Sequence, residues 1–138
     1  MNARALFRIV VWLGIAANWS FGIWVLFFDP HKLLDALNLG QQASVLWLYN
    51  YSVLLMILSL FYIPAASDPF RYRMNAWLLV AGRLVPASTF VLGVVLGYMP
   101  PGFLGLFLAD GTIGVIELLL LLSIYRRGPA PGDYGYAA

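Results

Sequence analysis

Apolar residues in this chain fall in long unbroken runs rather than in narrow stripes. Residues 9–28 form a charge-free stretch of 20 residues, and ~20 apolar residues are what a helix needs to cross the ~30 Å hydrocarbon core of a bilayer. Comparable runs cover residues 45–63, 76–98 and 103–124. The pattern predicts an all-α integral membrane protein whose four transmembrane helices pack as an antiparallel bundle. Residues 1–127 make one transmembrane domain, and residues 128–138, rich in Gly, Pro and Tyr, make a tail with too little apolar character to fold alone. Arg4 and Arg8 before the first run also suit a signal peptide. The run is too long for one, however, and Phe28-Asp29-Pro30-His31 is no small-residue cleavage site, so the first run is expected to remain as a helix.

Residues 29–42 connect the first two runs and carry helix signals of their own. Asp29 suits an N-cap, Pro30 the first helical position, and Gly40 the residue beyond the end. Leu33, Leu34 and Leu37 share one face, with His31, Lys32 and Asp35 turned away, which predicts a short helix lying on the membrane surface. The second run is expected to stop at Pro64, with Trp47, Tyr49 and Tyr51 in one interfacial aromatic belt and Phe61 and Tyr62 in the other. Pro86 within the third run frees the carbonyl of Gly82 and predicts a kink.

Composition agrees with the pattern. The chain is 62% hydrophobic and 10% charged, with a mean hydropathy of +0.85, outside the range of ordinary soluble domains. Its net charge of +2 comes from basic residues clustered at the ends of the runs, where they orient a membrane chain, so nucleic acid is not an expected partner. Arg4, Arg8, Arg71, Arg73, Arg126 and Arg127 fall on one side and Lys32 alone on the other. By the positive-inside rule both termini and the second connection are cytoplasmic, and the first and third connections lie outside. The absence of cysteine excludes disulfides and thiolate metal sites, and a single histidine, His31, excludes bis-histidine haem ligation within one chain. No catalytic, cofactor-binding or metal-binding residue is expected.

The candidate chemistry lies inside the runs. Arg83 falls about seven residues into the third run and Glu117 about eight from the end of the fourth, so on neighbouring antiparallel helices both lie ~11 Å below the same face. Charges at such depth face the bundle interior and pair, which predicts an ion pair between Arg83 and Glu117. Asp110 precedes Glu117 by seven residues and shares nearly the same face. Gly14, Asn18 and Gly22 recur every fourth residue on the first helix, where a neighbour can approach closely and bond to Asn18. Arg83, Asp110, Glu117 and Asn18 thus form the expected intramembrane polar cluster.

The basic N-terminus, Asp29-Pro30 with its leucine-rich connection, Gly82-Arg83-Leu84 and Asp110-Gly111 with Glu117 together resemble the DoxX-like group of small four-helix bacterial membrane proteins. The likeness covers roughly residues 4–127 and rests on single residues in apolar helices. It implies a compact four-helix fold in the bacterial inner membrane and, as in some members, an accessory subunit of a membrane redox enzyme such as thiosulfate:quinone oxidoreductase. It implies no catalytic residue. The tryptophan-rich sensory proteins are the other comparison, and their five helices do not fit four runs. The expected function is a non-catalytic accessory or scaffold subunit of a larger membrane complex, with the bilayer and either other membrane subunits or further copies of the chain as partners. The alternative is a proton or small-solute transporter that acts, as an oligomer, through Arg83, Asp110 and Glu117.

Overall fold

A computed structural model describes residues 2–40 and 45–128, all of whose regular structure is helical. Six helices follow in order: α1 (Ala3–Phe27), α2 (Pro30–Ala36), α3 (Leu46–Leu60), α4 (Tyr62–Ser67), α5 (Arg73–Val95) and α6 (Phe103–Arg127). Four helical stretches are long and apolar enough to cross a membrane: α1, α3 continued by α4 (Leu46–Ser67), α5 and α6. The protein is therefore a multi-pass membrane protein. The tail from residue 129 and residues 41–44 of the first connection lie outside the described residues.

Local chemistry explains most helix ends. Asn2 caps α1 by accepting from Arg4 N at 3.1 Å, and Asp29 caps α2 by accepting from His31 N at 3.0 Å, with Pro30 in the first helical position. At the end of α5, Gly97 takes φ +75°, which lets Tyr98 N bond to Gly93 O at 2.8 Å and Gly97 N to Val94 O at 3.0 Å. These two bonds are the Schellman pattern that a left-handed glycine permits. Arg126 and Arg127 occupy the last turn of α6, where the helix dipole favours cations.

Pro64 does not end the second span. The helix breaks three residues earlier, at Phe61, and α4 starts at Tyr62, so Pro64 falls in a first turn where no intrahelical N–H is needed. The Phe61 carbonyl at the break accepts from Asn75 Nδ2 of α5 at 2.9 Å. Pro86, by contrast, lies inside α5, which is one continuous helix on both sides of it. Helices α1, α5 and α6 also start or end several residues outside the apolar runs, because a helix continues into the interfacial polar residues once its backbone bonds are formed.

Packing follows chain order. α1 lies against α3, α4 and α6, α5 lies against α4 and α6, and α2 packs on α1. Along the contact of α1 with α3 and α4, Arg8 meets Ala66, Asn18 meets Ser59 and Phe21 meets Tyr51, so numbers rise on one partner as they fall on the other. One end of the molecule joins the first and third connections: Gly102 abuts the carbonyls of Leu37 and Asn38, where any side chain would collide. The opposite end is knitted by basic and aromatic residues. Arg8 donates to the carbonyls of Ala66 and Ser67 at 3.2 and 3.3 Å, and Tyr125 Oη donates to Pro69 O at 2.8 Å. Arg4 and Arg73 stack over Phe70 and Tyr125 at 4.9 and 5.1 Å.

Two apolar clusters fill these ends. Phe7, Val11, Tyr62, Ala76, Leu79 and Leu121 pack at the basic end, and Val25, Leu34, Leu39 and Leu48 at the other. In α2, Leu34 is buried while His31, Lys32 and Asp35 are exposed, as its sequence pattern predicts. Tyr62 departs from the expected belt. It is 2% exposed and points inward, its hydroxyl 2.5 Å from where a Cβ would stand on Gly82, so the missing side chain of Gly82 makes room for the phenol.

Candidate functional site

Between the two clusters lies a polar layer built from four helices. Arg83 is ten residues from the start of α5 and Glu117 ten from the end of α6, so each lies ~15 Å along its helix from the basic end, close to the middle of a ~30 Å core. The extra depth relative to the sequence reading comes from the longer helices.

Small residues create the space for the guanidinium. Gly14 of α1 lies directly against Arg83 Nη2, where a Cβ would collide with the guanidinium. Gly114 of α6 lies beneath the Arg83 stem, where a Cβ would stand 2.9 Å from Arg83 Cβ. Two glycines on two helices therefore let a long cation lie between backbones with only 3% of its side-chain surface exposed.

Arg83 Nη1 donates to Asp110 Oδ1 at 2.6 Å and to Asn18 Oδ1 at 3.2 Å. Asn18 in turn donates from Nδ2 to Ser59 Oγ at 2.8 Å, and the Ser59 hydroxyl donates to the Leu55 carbonyl at 2.7 Å. The chain of bonds crosses from α6 through α5 and α1 to α3. Glu117 is placed differently. Its Oε2 stands 3.7 Å from Arg83 Nε, within ion-pair range but too far for a hydrogen bond. Neither Glu117 oxygen has a hydrogen-bond donor among the described residues, and its side chain is 0% exposed.

All four residues expected in the cluster meet in this layer, but the order of intimacy differs from the sequence reading. The close partner of Arg83 is Asp110, with Glu117 behind it. Equal depth along the helices favours Glu117, whereas in the structure the Nη1 end of the guanidinium meets Asp110 and its Nε faces Glu117. Ser59 is the further member. Its spacing of seven from Ser52 places both serines on one face, and both are fully buried, yet nothing in the sequence pairs Ser59 with Asn18 rather than with its own helix.

Asp110 also differs from Glu117 in what else it faces. Its side chain is 25% exposed, and it borders a cavity of ≈120 Å³ that Asn18, Phe21, Tyr51 and Phe90 also line. A cavity of ≈390 Å³ adjoins this one through Phe21, Tyr51, Phe90 and Leu106 and extends to Trp47, Met99 and Phe103 near the connections. The two form an aromatic cleft lined by α1, α3, α5 and α6 and ending on a carboxylate.

No family model, curated protein or solved structure matches the chain. The fold and site define a four-span helical membrane protein with a hydrogen-bonded charge layer at its middle.

Proposed function

We propose that this protein is a non-catalytic, antiparallel four-helix subunit that serves as an accessory or scaffold component of a larger membrane complex, a redox complex being the first candidate through its DoxX-like resemblance. The observation that carries the reading is the fixed position of Arg83. Its bonds to Asp110 and Asn18, with Glu117 beside it, tie α1, α5 and α6 into one layer. Helices tied through a buried charge network resist sliding past one another, because each displaced group would be left uncompensated in a low-dielectric interior. Such rigidity suits a subunit that presents a constant surface to its neighbours.

The meeting of the first and third connections at one end, and of the N-terminus with the second connection at the other, supports the antiparallel arrangement. The excess of Arg at the second end supports a cytoplasmic location for the termini, in a bacterial inner membrane. With that orientation α2 is an interfacial helix of the outer side, Leu34 inward and Lys32 in water.

A second reading, proton or small-solute transport through Arg83, Asp110 and Glu117 in an oligomer, is favoured by the exposure of Asp110 to the cleft. Extraction in a gentle detergent followed by native mass measurement tests both. The subunit reading expects a stoichiometric complex with a different membrane protein. A homo-oligomer alone supports transport, and a bare monomer overturns both.

A further inference from the structure

The aromatic cleft has a chemistry that neither the subunit reading nor the helix-locking role of the charge layer uses. We propose that it is a binding site for a lipophilic organic cation, an aromatic or alkyl ammonium-type molecule that seats its charge against Asp110. This inference goes beyond the subunit reading and does not rest on it.

The cleft's larger cavity, ≈390 Å³, lies within the ~300 to 1,000 Å³ typical of small-molecule sites. Phe103, which lines this larger cavity, and Asp110, which lines the smaller one, are seven residues apart on one helix, or ~10 Å. Phe21, Trp47, Tyr51, Phe90 and Phe103 line the walls. Five aromatic rings from four helices offer π-faces, which attract cations and disfavour anions.

The floor sets the sign of the charge. Among the described residues, Asp110 is the one charged residue that lines either cavity. Arg83 lies behind it, 3% exposed, and lines neither cavity. A molecule entering the cleft therefore meets the carboxylate before the guanidinium. An acyl chain would fill the apolar volume but offers no charge to the side of the carboxylate that faces the cleft beyond its bond to Arg83, and an anion would be repelled by it.

The test uses the full chain in phosphatidylcholine nanodiscs, titrated calorimetrically with tetraphenylphosphonium and with tetraphenylborate, which has nearly the same shape and the opposite charge. Empty discs provide the partitioning background. The expected result is saturable binding of about one tetraphenylphosphonium per chain and no saturable binding of tetraphenylborate. Asp110→Asn should weaken binding of the cation at least tenfold. Because that variant also loses the Arg83 ion pair, Leu106→Trp is tested beside it. This change fills the shared wall of the two cavities without touching the charge layer, and it should abolish saturable binding. Equal binding of both ions, or cation binding that survives Leu106→Trp, overturns the proposal and leaves the cleft as an acyl-chain groove. Native mass measurement of the untitrated complex reads the subunit proposal separately, so the two can fail independently.

Discussion

Arg83 and Asp110 meet at 2.6 Å across α5 and α6, and this contact, rather than the 3.7 Å approach of Arg83 to Glu117, is the short bond of the charge layer. The two carboxylates consequently respond differently to substitution. Arg83→Leu strands both and should cost about 3 to 5 kcal/mol, the usual penalty for breaking a buried pair. Adding Asp110→Leu to Arg83→Leu should recover more of that loss than adding Glu117→Leu, with a coupling on the order of 0.5 to 3 kcal/mol for residues in contact. Thermal unfolding of the single and double variants in one detergent gives the cycle. Equal coupling to the two acids would show that the 2.6 Å contact does not dominate.

Glu117→Gln should be well tolerated. The oxygens of Glu117 accept no hydrogen bond within the described residues, so the amide loses only a long-range attraction to Arg83 while removing a buried charge. A melting temperature at or above that of the parent chain is expected. A loss as large as that of Asp110→Asn would mean that Glu117 carries bonds equal to those of its neighbour.

Gly14 and Gly105 make a matched pair of helical glycines. A Cβ on Gly14 collides with the Arg83 guanidinium, whereas one on Gly105 meets nothing within 4 Å. Gly14→Val should push Arg83 out of reach of Asn18 and lower the unfolding temperature markedly. Gly105→Ala should be neutral or stabilising by up to ~1 kcal/mol through helix propensity. The same unfolding assay reads both, and a harmless Gly14→Val would place the guanidinium elsewhere.

Orientation is open to direct labelling. His31 in α2 and Ser67 at the end of α4 are both exposed and lie at opposite ends of the molecule. In intact cells an impermeant thiol reagent should modify His31→Cys and spare Ser67→Cys until the membrane is opened. The reverse pattern would invert the proposed topology.

What sequence alone determined here is what depends on distance along a helix. Four apolar runs of spanning length, the Asp29-Pro30 start of α2, the shared depth of Arg83 and Glu117 and the small-residue face of Gly14, Asn18 and Gly22 all follow from a rise of ~1.5 Å and a period of 3.6 residues. These quantities are set by each helix separately. Tertiary structure decided what depends on how the helices are turned toward one another. It turned Tyr62 inward onto Gly82 and brought Ser59 to Asn18. It also gave the close bond to Asp110 instead of Glu117 and left α3 apart from α5 and α6, so that five aromatic rings enclose a cleft. In a bilayer nearly every outward residue is apolar as well, so hydrophobic pattern marks where a helix runs but not which face it turns inward. Rotation about each helix axis is settled by close packing and by the need to pair buried charges, and both depend on residues distant in the chain.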